Sequence, residues 1–342
     1  MTVQVTPAPP PLRVGMIGAG GIAGAHLSAW LSIGAEISHF STAGAQALAA
    51  SHGGVAVDSF AELLDLVDVV DIVTPTPSHL GYVQAGAAAG KHVFCEKPLA
   101  RTSTDARLAI EACRAAGVQL YPGHVVRYFS EYESMHREVA AGTIGTVAVQ
   151  RFTRTGSRPD MDWFHDEEAS GGVILDQMIH DLDFACWNAG PVGTVFARQA
   201  GTGTGKDGVV SAHVILQHHS GAITHAAGTW ARPGTAFRTT FEIAGTGGIL
   251  RHDSAEHKPL VIDGGAGHDG RAGTGLLPEV SGVGPFELEL SEIARAFMGG
   301  DPPRVSAEDG LAAILVAEAA VTSLQIGQPV AVAPIGNVEV AA

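Results

Sequence analysis

The stretch LRVGMIGAGGIAGAH, residues 12–26, decides the fold of the first part of the chain. Residues 14–17 are an apolar segment typical of a buried strand; the next residues match G-x-G-x-x-G/A, and a helix-like run follows. Gly18 allows a tight turn, Gly20 lets the backbone approach a ligand, and the small Ala23 lets helix and strand pack closely. This order favours a phosphate-binding loop over the alternative, a simple glycine-rich turn.

The segments after this loop alternate between strand-like and helix-like patterns. We predict strands over 35–40, 54–57, 67–75, 91–98 and 118–124, and helices over 45–53, 60–66, 78–89 and 104–116. Because the strands are nearly continuous apolar runs, this rhythm predicts a parallel, doubly wound α/β sheet. We therefore expect a dinucleotide-binding Rossmann domain over 12–123, a disordered proline-rich leader over 1–11 and a second domain over 124–342.

The predicted Rossmann domain implies a nicotinamide dinucleotide as cofactor. The residues expected to contact it are Gly18, Gly20, Gly21, Ile22, Ala23, Ser41, Thr42, Thr74, Pro75, Thr76, His79, Glu96 and Lys97. An acid that would bind the adenosine ribose is missing after the second strand, where His39 and Phe40 are followed by two hydroxyl residues. No nearby arginine would grip a 2′-phosphate either. The cofactor is thus NAD or NADP, with a slight lean to NADP. His79 could instead serve only to start a helix.

Composition excludes several classes of function. The net charge is −15, from 20 basic and 35 acidic residues, so a nucleic-acid partner is not expected. The three cysteines are far apart and no HExxH motif occurs, so we expect neither disulfides nor a metal site. No run of about 18 continuous apolar residues predicts a membrane span. We therefore expect a cytoplasmic protein.

The stretch GGVILDQMIHDLD, residues 171–183, combines an apolar helical pattern with three polar side chains. Asp176, His180 and Asp183 are spaced by four and three residues, so on one continuous helix they lie on the same face. Ionisable groups on an otherwise apolar helix are costly without a purpose. The pattern predicts a stripe that faces a site, although a buried histidine tied to an aspartate is the alternative.

Several motifs taken together resemble the family of glucose–fructose oxidoreductase, inositol dehydrogenase and MocA proteins. They are the glycine loop, CEKPLA (95–100), HVVRYFSEY (124–132), SGGVILDQMIHDLD (170–183), FEIAGTGGIL (241–250) and the closing AEDGLAAILVAEAAVTSLQIGQPV (307–330). The resemblance implies a C-terminal α+β domain with an open, mostly antiparallel sheet. It also implies a homodimer or homotetramer that assembles through this sheet. Strand-like segments at 146–154, 193–201, 209–218, 221–230 and 239–250 are consistent with that sheet.

The resemblance also implies a catalytic group of Lys97, Asp176 and His180, with the Lys97–Pro98 bond often cis. The chemistry of these side chains agrees with that assignment. Oxidation of a secondary alcohol needs a base for the hydroxyl proton, and a histidine titrates near neutral pH. A lysine can stabilise the developing alkoxide, and carboxylates can bind neighbouring hydroxyls. A lone lysine at a strand end is otherwise a solvated charge.

Three further residues are candidates for substrate binding: Asp183, Arg127 and Trp163. Each has a structural alternative. Asp183 could support the helix, Arg127 could form an ion pair that links the domains, and Trp163 could be a packing aromatic, with His165 beside it. Arg154 and Arg158 raise the question of an acidic substrate group, but a solvated loop explains them equally well.

These observations predict an enzyme, an NAD(P)-dependent oxidoreductase that moves a hydride between the cofactor and a secondary hydroxyl or ketone. The substrate would be a sugar, a polyol or a cyclitol. Two alternatives stay open. Some proteins of this fold bind a dinucleotide but catalyse nothing, and they serve as sugar-responsive regulators. Others oxidise a sugar transiently and then eliminate or hydrolyse its glycosidic bond.

Overall fold

The computed structural model describes residues 10–202, 208–255 and 283–336. Most of the predicted leader therefore lies outside the described residues, and regular structure begins at Arg13. Two sheets organise the described chain, a parallel one formed by residues 13–123 and a mixed one formed by residues 147–331.

The first sheet has six parallel strands in the order β3-β2-β1-β4-β5-β6. Its strands are β1 (Arg13–Ile17), β2 (Glu36–Phe40), β3 (Val55–Ala56), β4 (Val69–Ile72), β5 (His92–Glu96) and β6 (Leu120–Gly123). Its helices are α1 (Ala23–Ser32), α2 (Ala45–His52), α3 (Phe60–Leu66), α4 (His79–Ala88) and α5 (Ser103–Ala116). The predicted doubly wound sheet is confirmed. The strand order reverses between β1 and β4, which is where ligands bind in such sheets.

Local sequence signals fix the helix ends in this part of the chain. The Thr102 side chain accepts a hydrogen bond from the Asp105 amide at the start of α5. Gly117 ends that helix in the left-handed conformation that glycine adopts without strain. The central strand β4 is buried along its whole length, as its apolar sequence predicts, although it includes the charged residue Asp71.

The second sheet has seven strands in the order β12-β11-β7-β10-β9-β8-β13, and every pair is antiparallel except β7 with β10. Its strands are β7 (Val147–Ser157), β8 (Val192–Thr202), β9 (Val209–His218), β10 (Ile223–Ala231), β11 (Arg238–Gly245), β12 (Gly248–Asp253) and β13 (Val330–Ala331). The predicted strand over 239–250 is a hairpin, because Thr246 and Gly247 turn the chain between β11 and β12.

The remaining helices are α6 (Ser130–Ala140), α7 (Asp162–His165), α8 (Glu167–Ser170), α9 (Gly172–Asp176), α10 (Ile179–Ala189), α11 (Pro285–Phe297) and α12 (Ala307–Ile326). Helices α10 and α12 cover one face of the second sheet. Helix α11 packs against α1 of the first sheet, and α12 also contacts α5. Late segments of the chain therefore complete the cover of the first sheet.

By length and composition alone, α12 is apolar enough to cross a membrane. In this fold it packs between the second sheet and neighbouring helices, and 56% of its apolar window is buried. A core helix of a globular protein has the same properties.

Candidate active site

A cleft of about 390 Å³ opens at the carboxyl ends of β1, β4 and β5. We call it the cofactor cleft. The predicted residues that line it are Gly18, Gly20, Gly21, Ile22, Ser41, Thr42, Thr74, Pro75, Thr76, Glu96, Lys97, Trp163 and Asp176. Most of the residues predicted from the sequence to bind the cofactor thus share one cavity, whose volume is typical of a small-molecule site.

The glycine loop has the backbone that close approach of a ligand requires. Gly18 has a φ of +112°, and a Cβ there would lie 2.8 Å from the Val73 carbonyl oxygen. A Cβ on Gly20 or Gly21 would meet no protein atom within 4 Å, so both glycines border open space. Ala23 is fully buried as the first residue of α1, which agrees with its predicted packing role. The cradle therefore fits a pyrophosphate at a helix N-terminus.

The end of β2 borders the adenosine side of the cleft with neutral groups. Ser41 is partly exposed and Thr42 is exposed, and both line the cavity. The acidic and basic side chains that line the cleft are Glu96 and Lys97 at the end of β5 and Asp176 on α9. At the end of β2, the described residues that line the cleft include neither a carboxylate for a ribose nor a guanidinium for a 2′-phosphate.

Hydrogen bonds of two side chains, His79 and Ser78, stabilise the loop that follows β4. His79 is buried; its Nδ1 lies 2.9 Å from the Pro98 carbonyl oxygen and its Nε2 lies 2.9 Å from the Thr74 carbonyl oxygen. Ser78 donates to the Thr74 hydroxyl at 2.7 Å. His79 therefore lies behind the cleft and connects the loops after β4 and β5, rather than lining the cavity.

Lys97 and Asp176 meet where the two sheets approach each other. The Lys97 Nζ donates to the Asp176 carbonyl oxygen at 2.8 Å and to its Oδ1 at 3.3 Å. The exposed fractions of the two side chains are only 16% and 9%. The Lys97–Pro98 peptide bond is cis. A lysine from β5 and an aspartate from α9 thus form one polar group at the inner end of the cleft.

A small cavity of about 40 Å³, which we call the inner chamber, adjoins this group. Lys97, Asp176 and His180 all line it. Burial, and then the charges of Lys97 and Arg154, lower the pKa of His180 well below its ordinary value. The imidazole is therefore neutral at neutral pH and can accept a proton. Its Nδ1 has no hydrogen-bond partner among the described residues.

The predicted polar stripe is divided in the structure, so the prediction of one continuous helix was wrong. Helix α9 ends at Asp176 and α10 begins at Ile179, and both Gln177 and Met178 donate their amides to the Val173 carbonyl. Asp176 and His180 still line the same chamber. The apolar sequence continues through the break, which is why the hydrophobic pattern did not reveal it.

Asp183 lies apart from the cleft, where it pairs with Arg127. The guanidinium donates to the carboxylate at 2.8 Å and 2.5 Å, and both side chains are at least 98% buried. Arg127 also donates to the Arg304 carbonyl at 2.7 Å. Neither residue lines the cofactor cleft or the inner chamber. This geometry agrees with the alternative interpretation, an ion pair that ties elements of the fold together.

Trp163 lines the cofactor cleft beside Phe164, and the centroids of the two rings are 3.9 Å apart.

Arg154 lines the inner chamber, but it donates to Asp181 at 2.8 Å and 3.0 Å. The pKa of Arg154 is raised, because Asp181 stabilises the charge although burial opposes it. A carboxylate of the protein therefore already neutralises Arg154. Among the described residues, no group of three or more His, Cys, Asp or Glu side chains is arranged to hold a metal ion.

Sequence reasoning missed several polar residues at or beneath the site. Asp181 neutralises Arg154, and Gln177 lines the inner chamber with no hydrogen-bond partner for its Oε1 in the described part of the chain. His26 and Asp71 form a buried pair beneath the cleft. The available signal was Asp71 itself, a charged residue inside an apolar strand, because such a residue requires a partner.

Comparisons with known proteins agree with this architecture. Residues 12–124 match the model of the oxidoreductase family with an NAD-binding Rossmann fold, and residues 132–251 match the Gfo/Idh/MocA C-terminal domain. The chain is 33% identical over 265 residues to myo-inositol 2-dehydrogenase of Thermotoga maritima, which covers 76% of this chain and 78% of that protein. It is 32% identical over 338 residues to 1,5-anhydro-D-fructose reductase of Ensifer adhaerens, covering 92% and 97%.

The same fold occurs in the crystal structure of GenD2 from gentamicin A biosynthesis in complex with NAD. The TM-score is 0.82 at 24% identity, and the match covers 98% of this chain and 100% of that chain. At this level of identity the likeness concerns the fold alone. With the family models and the relatives above 30% identity, we conclude that this chain belongs to the Gfo/Idh/MocA family of oxidoreductases with an NAD-binding Rossmann domain.

Proposed function

We propose that this protein transfers a hydride between a nicotinamide cofactor and a secondary hydroxyl or ketone of an uncharged sugar, polyol or cyclitol. The observation that carries the proposal is the meeting of Lys97, Asp176 and His180 between the cofactor cleft and the inner chamber. When bound, the nicotinamide accepts or supplies the hydride. The chain itself moves the proton and stabilises the charge on oxygen.

In the oxidative direction, the neutral His180 accepts the proton of the substrate hydroxyl as the carbon loses its hydride. Lys97 donates a hydrogen bond to the same oxygen while negative charge develops there. Asp176 holds the Lys97 ammonium through its carbonyl and carboxylate oxygens, and it also offers an acceptor to a neighbouring hydroxyl. The products are a ketone, a protonated His180 and the reduced cofactor.

The charge of the inner chamber supports an uncharged substrate. Arg154 is the lining cation besides Lys97, and its bidentate pair with Asp181 already satisfies it. Asp176 also lines the chamber, and it is paired with Lys97. The other lining side chains are aromatic, aliphatic or neutral polar, among them Phe129, Trp230 and Gln177. Two of the related proteins are named for myo-inositol and for 1,5-anhydro-D-fructose, which are uncharged polyhydroxy compounds.

For the cofactor, we propose that either NAD or NADP is bound, with a slight preference for NADP. The neutral Ser41 and Thr42 leave no carboxylate to repel a 2′-phosphate. The first test is fluorescence titration with NADH and with NADPH. A panel of inositols and sugars is then assayed with the preferred cofactor. If neither cofactor binds, the proposal fails and a binding role without a cofactor becomes the better explanation.

The catalytic assignment is tested by Asp176→Asn and His180→Ala. Both variants should lose turnover by roughly 10²- to 10⁴-fold while keeping cofactor affinity, because only the proton and charge chemistry is removed. His92→Ala is a matched control, since His92 is also partly buried but lies at the opposite end of β5. Wild-type turnover in both variants would contradict the assignment. A product that has lost its aglycone, without net cofactor reduction, would indicate glycoside cleavage instead.

We also propose that the protein forms a homodimer or homotetramer through the face of the second sheet opposite α10 and α12. Ile215, Ile223 and Ile249 project from that face and are 45%, 46% and 50% exposed. The strand register places Ile223 and Ile249 in one row across β10, β7, β11 and β12. Exposed apolar rows of this kind are typical of protein interfaces.

The cytoplasm remains the proposed compartment of this protein.

A further inference from the structure

A cluster of buried ionisable side chains lies directly beneath the cofactor cleft. The Nδ1 of His26 lies 3.0 Å from Asp71 Oδ2, and its Nε2 lies 3.0 Å from Glu96 Oε1. His26 and Asp71 are fully buried, and Glu96 is 8% exposed. One imidazole on α1 therefore bridges carboxylates on β4 and β5. We call these three residues the carboxylate bridge.

The surroundings of the carboxylate bridge hold it in one arrangement. Trp30 donates to Asp71 at 2.7 Å. Gly123 leaves the space that Glu96 fills, because a Cβ there would lie 2.9 Å from Glu96 Oε1. On the far side, Phe286 of α11 packs against the His26 ring at 5.2 Å. These contacts leave the imidazole little room for another orientation.

Electrostatics favours a charged imidazole in the carboxylate bridge. Burial opposes the charge, but Asp71 and Glu96 outweigh it and raise the pKa of His26 to about 10. Burial likewise opposes the Glu96 charge, yet His26 lowers the pKa of that carboxyl. Glu289 of α11 also faces the cluster, and burial together with Glu96 raises its pKa well above the usual value. His26 is therefore the cation beside two carboxylates.

The carboxylate bridge reaches the proposed catalytic group through Glu96. While Oε1 of Glu96 faces His26, its Oε2 accepts a hydrogen bond from the Lys97 backbone amide at 2.9 Å. Lys97 in turn donates from Nζ to Asp176. A chain of polar contacts thus runs from His26 through Glu96 to the backbone of Lys97. Removing His26 would leave buried carboxylates without their partner, which strongly disturbs their geometry.

We propose that His26 is a positioning residue, which fixes the Glu96 carboxylate and through it the backbone from which Lys97 reaches Asp176. This inference rests on the catalytic role proposed above for Lys97. His26 itself lines neither cavity, so it acts through Glu96 and not on substrate or cofactor. A purely structural histidine would support stability without changing the state of Lys97, and this difference can be measured.

The experiment compares His26→Ala and His26→Gln with the wild-type protein. Glutamine retains an amide donor for Glu96, whereas alanine does not. His218→Gln is the matched control, because His218 of the second sheet is also buried but bonds to Gly190 at the end of α10 and to Thr224 of β10. Acetylation by a lysine-directed reagent, quantified by mass spectrometry, reports the exposure and mobility of Lys97. Lys91, whose Nζ donates to the Val67 carbonyl, is the internal reference.

The alanine variant should show two linked changes. Acetylation of Lys97 rises at least about threefold, while that of Lys91 stays within about twofold of the wild-type rate. The kcat falls roughly 10- to 100-fold with little change in cofactor KM, because a small misplacement of a catalytic group lowers the rate more than it weakens binding. The glutamine variant recovers part of both changes, and the His218 control shows neither.

Acetylation of Lys97 that stays at the wild-type rate in the folded His26 variants overturns the inference, whatever happens to kcat. If acetylation rises but the wild-type protein turns over no substrate, the positioning role stands and the proposed function fails. Should both His26 variants fail to fold, Asp71→Asn decides. This variant keeps an oxygen that accepts the Trp30 hydrogen bond, but it weakens the interaction of residue 71 with His26. Acetylation of Lys97 should therefore rise in this variant, and a wild-type rate would overturn the inference.

Discussion

The two sheets of this molecule use their surfaces in opposite ways. The parallel sheet has helices on both faces, and the cofactor cleft opens at the carboxyl ends of β1, β4 and β5. The second sheet is covered on one face by α10 and α12, and among the described residues its other face, which we call the open face, carries three exposed isoleucines. Changes at the strand ends of the first sheet should therefore alter chemistry, and changes on the open face of the second should alter assembly.

The strongest test of this division is the removal of the lysine at the end of β5. Lys97→Ala should lower kcat by roughly 10²- to 10⁴-fold, because the group that stabilises charge on the substrate oxygen is lost. Steady-state kinetics with the preferred cofactor measures the effect. Lys91→Ala, at the start of the same strand region, should leave kcat near the wild-type value. A Lys97→Ala variant with wild-type kcat would contradict the view that the strand ends of the first sheet carry the chemistry.

Substitution in the glycine loop should have the next largest effect. Gly18→Ala forces a side chain against the Val73 carbonyl at a φ of +112°, so we expect a loss of about 1–3 kcal/mol in the free energy of unfolding together with weaker cofactor binding. Gly34→Ala separates the two causes. Its φ is +82° but its Cβ would meet no atom within 4 Å, so it should cost stability of about 1 kcal/mol without affecting the cofactor. Chemical denaturation and cofactor titration of both variants make the measurement.

On the open face of the second sheet, Ile215→Glu should reduce self-association while each copy keeps its turnover number. A buried unpaired carboxylate at an interface is costly, whereas the same side chain on a solvated face is not. Light scattering coupled to gel filtration reports the mass. Leu108→Glu on α5 is the control, since Leu108 is exposed to a similar degree outside this face. An unchanged mass for Ile215→Glu would remove the proposed interface.

The smallest expected effect is a difference in pH dependence between two buried histidines, one near each sheet. Stability from His26, whose pKa is raised to about 10, is complete below pH 6.5 and declines as the pH rises toward 10. Burial lowers the pKa of His218, so its contribution is instead lost as the pH falls below 6.5. Thermal unfolding of His26→Gln and His218→Gln across this range should flatten the alkaline and the acid side respectively. Two variants with identical pH profiles would contradict the assignment.

Much of the parallel sheet could be predicted from the sequence because fully buried strands are continuous apolar runs between glycine turns. The glycine loop was equally readable, since its function depends on local spacing, whereas the role expected of the lysine after β5 came from the family resemblance. The partner of Asp183 was not, because Arg127 lies 56 residues away and only the folded chain brings them together. The break after Asp176 was hidden for a related reason: hydrophobic periodicity reports which face is buried, not where the backbone bonds are interrupted.

The packing of α11 on α1 also has a consequence for how the chain is made. The first sheet is encoded by residues 13–123, but the side chains that cover His26 and its surroundings belong to residues 285–297. During synthesis, this surface of α1 stays uncovered by α11 until residues 285–297 have left the ribosome. We expect the nascent Rossmann segment to spend that interval with an exposed apolar patch, the kind of surface that chaperones bind.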